Sequence, residues 1–102
     1  MMDNILVEHI TEAGGLYFRS ITLPHAGTYI PQHVHDYDHA TLVCSGLVRG
    51  WCNGQFLGDK KKGEVFEIRA HCQHEFVSLE PNTTLVCIHN IESALSIKQK
   101  GL

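Results

Sequence analysis

A chain of 102 residues, 43% apolar and 19% charged, is long enough for one domain with a modest core and too apolar to stay disordered. A formal net charge of −3 gives nucleic acid no electrostatic footing, and no apolar run approaches membrane-spanning length. The one basic run, Lys60-Lys61-Lys62, lies between glycines in GDKKKG and reads as a solvated loop tip.

In chain order, Ile5 to Ile10 is short, apolar and partly β-branched, and reads as a first strand at an edge or reaching to a partner chain. Glu12-Ala13-Gly14-Gly15 is a turn. Leu16 to Leu23 is rich in aromatic and β-branched residues and reads as strand. Pro24 to Gly27 breaks it. Thr28 to Val34 follows, with Pro31 marking a bulge or an edge position. His39 to Ser45 alternates, so that His39, Thr41, Val43 and Ser45 share one face and Leu42 and Cys44 the other. Gly46 bends the chain into Leu47 to Cys52. Asn53-Gly54 is the strongest hairpin signal, and Gln55 to Leu57 pairs back. Glu64 to Arg69 alternates with Phe66 and Ile68 on one side. His74 to Leu79, a turn at Glu80-Pro81-Asn82, and Thr83 to His89 complete the strands, and Ile91 to Lys100 is a short helix or a tail. Many short strands without a long amphipathic helix predict an all-β sandwich or barrel.

Eight histidines is a strong excess in so short a chain, and they are dispersed rather than run together as in a tag. His9, His25 and His89 read as surface residues. His33 and His35 form an HxH pair, which on a strand places both imidazoles on one face. His39 follows after a bend, and His74 comes much later. Neutral imidazole is a frequent ligand of Zn, Fe, Ni and Cu. None of the four cysteines, Cys44, Cys52, Cys72 and Cys87, forms a CxxC pair, and the segment MMDNILVEHITE lacks the apolar core of a signal peptide. A cytoplasmic protein with free thiols is expected, with a disulfide left open.

These residues carry a resemblance. The chain resembles a small single-domain cupin, a jelly-roll barrel of the double-stranded β-helix type. The first cupin motif reads here as Gly27, TYIPQ, His33-Val34-His35, Asp36-Tyr37-Asp38, His39, ATLVCS, Gly46; each spacing fits, and His39 stands where the family usually has Glu. The second reads as Gly63, EVFEI, Arg69-Ala70-His71, Cys72-Gln73, His74, EFV, Ser78; Gly and His hold, while the family's Pro, Gly and Asn are Arg69, His71 and Ser78. The resemblance covers roughly residues 16–90 of one cupin domain spanning the chain.

The resemblance implies one divalent transition metal per chain, held inside the barrel by His33, His35, His39 and His74. Replacing Glu by His leaves the full dication charge, which favours a bound anion, and argues against Mg and Ca, leaving Fe, Zn, Ni, Mn or Cu. Asp36 or Asp38 is the alternative to His39, or either orients a ligand from outside. The implied functions are a small-molecule dioxygenase or isomerase, a non-catalytic ligand-sensing module, or a barrel with a structural metal. Tyr29, Phe66, Trp51, Thr41 and Ser45 are candidates for the pocket wall; Cys72 is a buried thiol beside His74, with a thiolate-ligand or redox role as the alternative; and His71 either supports the ligand histidines from outside or stands near the pocket mouth. A small, anionic ligand and a homodimer formed through sheet faces or the Ile5-Leu6-Val7 segment complete the expectation, with no nucleic acid and no membrane.

Overall fold

A computed structural model describes residues 7–34 and 36–91, with positions 7 and 31–33 as backbone only. The described residues form strands β1 (Val7–Ala13), β2 (Leu16–Leu23), β3 (Tyr29–His33), β4 (His39–Ser45), β5 (Leu47–Cys52), β6 (Gln55–Lys61), β7 (Val65–Ile68), β8 (His74–Ser78) and β9 (Thr83–Asn90). They pair into two antiparallel sheets, β1-β2-β9-β4-β7 and β3-β8-β5-β6, packed face to face as a jelly roll. No helix among the described residues is long and apolar enough to cross a membrane.

Punctuation and alternation place most of these elements. Leu16–Leu23, His39–Ser45 and Leu47–Cys52 begin and end where the sequence predicts. Asn53 and Gly54 both have positive φ, 52° and 77°, as the two-residue β5–β6 hairpin requires. Gly46 turns β4 into β5 at φ 79°. Pro31 lies in edge strand β3, where the register with β8 shifts between Ile30 and His33. The shift sets His33, rather than Gln32, opposite His74.

Three expectations need correction. β6 does not stop at Leu57 but runs to Lys61, so Lys60 and Lys61 belong to an edge strand rather than a loop tip. Edge strands carry lysine readily, because charge blocks further pairing. β1 runs on to Ala13, past the expected end at Ile10, so Glu12 and Ala13 pair with β2 and the turn is only Gly14 and Gly15; Ile5 and Leu6 lie outside the described residues, as does 92–102. Trp51 and Tyr29 face outward: Trp51 packs on Phe56, and the Tyr29 hydroxyl hydrogen-bonds Glu75.

The inner faces stack in layers. At one end lie Val43, Leu85, Leu23, Val48, Thr28 and Ser78, all fully buried. In the middle, Phe66 and Phe76 meet with ring centroids 5.0 Å apart. At the other end stand His39 and His74, the residues that open β4 and β8.

Candidate metal centre

His39 and His74 come from opposite sheets. On β4, His39 shares its face with Thr41 and Val43 and pairs with Ile68 of β7. On β8, His74 shares its face with Phe76 and Ser78 and pairs with Cys52 on one side and His33 on the other. Both rings are buried, at 7% and 1% exposure, and their centroids lie 5.0 Å apart in an edge-on arrangement. Nδ1 of His74 lies 3.4 Å from the carbonyl of Cys72. A carbonyl only accepts, so this long contact favours the proton on Nδ1 and the lone pair on Nε2, the form in which imidazole ligates a metal. Nδ1 of His39 is sealed from solvent.

Two of the four predicted ligands are thus brought together as side chains. His33 is placed by its backbone, opposite His74. His35 lies outside the described residues. Among the described residues no group of three or more His, Cys, Asp or Glu is arranged to hold a metal. The donor chemistry of the buried pair suits a transition ion. Asp38 is engaged elsewhere: its Oδ1 accepts a 2.7 Å hydrogen bond from the Ala70 amide, tying the loop before β4 to the turn before β8. Asp36 is exposed. His71 is exposed on that turn, with φ 68°.

The cysteines depart from the free-thiol expectation. Cys52 and Cys72, with Cα atoms 5.7 Å apart, are joined as a disulfide, while Cys44 and Cys87 are free. The bridge fastens the β5–β6 hairpin to the segment that leads into His74. Asn53 adds to it, donating from its amide to Gln73 O (2.8 Å) and accepting from Gln73 N at Oδ1 (2.9 Å).

His89, expected at the surface, is also misplaced by the sequence reading. It is buried rather than on the surface, because it continues the inward alternation of Thr83, Leu85 and Cys87 on β9. Its ring stacks on Tyr17 at 4.7 Å, and Tyr37 packs against it at 4.6 Å. Tyr37 lies 6.0 Å from His39, so an unbroken run of rings leads from Tyr17 to His74. Burial lowers the His89 pKa, and burial together with Cys87 and Tyr17 raises that of Tyr37 to about 12. Both side chains are therefore neutral near pH 7. Thr41 faces this layer as expected and lies 3.6 Å from Cys87 Sγ, and burial pushes that thiol up. Phe66 is core, and Ser45 hydrogen-bonds Asn82 O away from the histidines.

No protein-family model and no curated protein matches the chain. Solved structures do. KdgF from Halomonas sp. superposes with a TM-score of 0.73 at 20% identity, over 81% of this chain and 76% of that one. A cupin superfamily protein from Desulfitobacterium hafniense gives 0.72 at 13% identity, covering 88% and 81%. A cupin-2 domain protein from Shewanella frigidimarina gives 0.67 at 16%, covering 82% and 79%. With two sheets paired in this order and these neighbours in structure, the chain has the cupin fold.

Proposed function

We propose that this chain is a metal-binding cupin which holds one divalent transition metal (Fe, Zn, Ni, Mn or Cu) through His33, His35, His39 and His74, and takes a small anionic molecule beside it. The observation that carries the reading is the buried His39–His74 pair, delivered from opposite sheets to one point. Neutral imidazole is a frequent ligand of transition ions, and two imidazoles held at one point offer such an ion two of its donors. Bound there, a metal with open positions would supply Lewis acidity for dioxygenase or isomerase chemistry. The chain's own part is to fix ring orientation through the Cys72 carbonyl and to exclude water with Ile68, Tyr37 and Phe76.

A second reading, a closed structural or ligand-sensing metal site without turnover, draws on how deeply both rings are buried. Homodimerisation is part of the proposal. β1 is an edge strand exposed on both faces, with Ile10 54% exposed, and such an edge pairs readily with a second copy. A cytoplasmic location is also proposed, in which the Cys52 and Cys72 thiols would be kept reduced.

The test is elemental analysis of untagged protein purified without a nickel column, for the wild type, His74→Ala and His39→Ala. The expected result is close to one metal per wild-type chain and little in either variant. Wild type without metal, and taking none up when it is supplied, would overturn the reading.

A further inference from the structure

Cys52 and Cys72 stand in the wall of the histidine end. Cys52 closes β5 and is the cross-strand partner of His74 on β8, so the two side chains leave the same face of the sheet. Such partners lie about 5 Å apart at Cβ. Cys72, 3% exposed, belongs to the core, and the partly buried Cys52 packs against it. The bridge therefore lies beside His74. Cys72 also supplies the carbonyl 3.4 Å from His74 Nδ1. One residue thus carries both a sulfur of the bridge and the backbone oxygen that faces the ring.

The two cysteines are held differently. Cys52 is locked between ladders, paired with Gln55 of β6 and His74 of β8. Cys72 lies in the segment between β7 and β8, where His71 takes φ 68° and the Cys72 amide donates to Arg69 O at 3.2 Å. Hydrogen bonds fasten that segment on either side of Cys72. Ala70 N donates to Asp38 Oδ1 at 2.7 Å, and Gln73 exchanges two bonds with Asn53. These bonds keep the sulfurs within reach of one another whether or not the bridge is made, which favours its re-formation. Bonded sulfurs stand closer than two thiols can, so in a close-packed wall breaking the bond displaces one side chain. The turn yields before the ladders do, and the turn carries the carbonyl that faces His74.

We propose that Cys52 and Cys72 form a reversible thiol–disulfide switch that sets how His74 is held. Bridged, the Cys72 carbonyl stays against Nδ1 and His74 presents Nε2 to the metal site; reduced, that contact is lost and the metal is held more weakly. The proposal deepens the metal reading above and rests on it for the metal, but not for the response of the ring. The reductant is a small thiol of the glutathione class. Its thiolate attacks the partly exposed Cys52 sulfur, the S–S bond breaks, and Cys72 leaves as a thiolate that takes a proton. A second reductant thiolate attacks the reductant's sulfur in the mixed disulfide and frees Cys52, which takes the second proton. Two electrons pass, and the reductant leaves as its own disulfide. Loss of an outer partner of a ligand histidine weakens metal binding about 10–100-fold.

The experiment poises wild type in glutathione buffers of graded potential and reads the bridged fraction by alkylation and mass spectrometry. The His74 imidazole is followed by NMR without metal, and Zn(II) affinity is measured against a chromophoric chelator in each redox form. Both forms are expected to stay folded, with the His74 signals shifting on reduction and Zn(II) affinity falling about tenfold or more. Linkage then requires saturating Zn(II) to make the midpoint potential of the pair more negative by about 30 mV per tenfold. Cys44→Ser/Cys87→Ser should keep the whole response. Cys52→Ser/Cys72→Ser should bind Zn(II) as the reduced form does and ignore the buffer. The proposal is overturned by His74 signals that reduction leaves unchanged, or by Zn(II) bound as tightly or more tightly in the reduced form. A bridge that resists reduction until the chain unfolds, or unfolding on reduction, overturns it too, since the bridge is then structural. Redox-dependent His74 signals in a chain that takes up no Zn(II) would sink the metal reading alone; bound Zn(II) beside an unresponsive His74 would sink this one alone.

Discussion

The two ends of the barrel are built from opposite materials. The closed end is hydrocarbon and backbone: Leu23, Val43, Val48 and Leu85 fill it, and the amides of Gly27, Asn82 and Leu79 stitch its loops to Ser78, Pro24 and Leu47. The histidine end is made of rings with polar atoms, His39, His74, His89, Tyr37 and Tyr17. Apolar packing is non-directional and strong per unit of area, whereas buried polar rings are net costly until each nitrogen or hydroxyl is satisfied. Stability should therefore reside at one end and ligand chemistry at the other.

Substitutions that separate the ends test this. Phe66→Ala, in the layer between them, should cost about 4 kcal/mol in urea unfolding through the cavity it leaves against Phe76. Gly46→Ala should cost about 3 kcal/mol, because a Cβ there meets Thr83 Oγ1 and lies 2.8 Å from Thr83 Cα, on a residue with φ 79°. His39→Phe replaces one buried ring by another of similar size and should change the stability of metal-free protein by less than about 1.5 kcal/mol, while metal content falls. If His39→Phe destabilised the metal-free barrel as much as Phe66→Ala does, the division between the ends would be wrong.

The same contrast explains what could be read from the sequence. The closed end and the strands were legible because alternation and Gly, Pro and Asn punctuation report packing directly, as in Leu16–Leu23 and His39–Ser45. The pairing of His39 with His74 was reached through motif spacing, not periodicity. His89 was legible and missed: the alternation that places Thr83 and Leu85 inward extends to it. Trp51 was misplaced because its inward neighbour on β5 is Gly50, which does not register as apolar although it packs against Phe66 and Phe76. The proximity of Cys52 and Cys72 was out of reach, since it arises from β5 pairing with β8 across chain segments that no local signal connects.

The Cys52–Cys72 bridge crosses the histidine end and closes a sequence separation of 20. In the loop-entropy account such a bridge contributes about 3 kcal/mol, which a reductant should remove and Cys52→Ser/Cys72→Ser should abolish. The proposed cytoplasmic location predicts that both thiols are reduced in the cell. Alkylation on lysis should then label four cysteines, against two for protein oxidised after purification. A bridge found intact at lysis would argue against the cytoplasm and leave the fold and metal proposals standing.

The smallest expected effect lies on neither end but on the outer face of the second sheet, and it sets the scale for the rest. Arg49 and Asp59 are cross-strand partners on β5 and β6, joined by two bonds, Nε to Oδ1 at 2.8 Å and Nη2 to Oδ2 at 2.9 Å. The Arg49 hydrogen bond holds the Asp59 carboxyl below its ordinary value. A carboxyl depressed in the folded state adds stability that is complete above its unfolded pKa, about 3.9, and is lost as pH falls through the folded value. Arg49→Gln should return the Asp59 titration, followed by NMR, upward to the ordinary carboxylate range. Neutral-pH stability should hardly move, because both side chains are solvated and a solvated pair repays little of its ordering entropy.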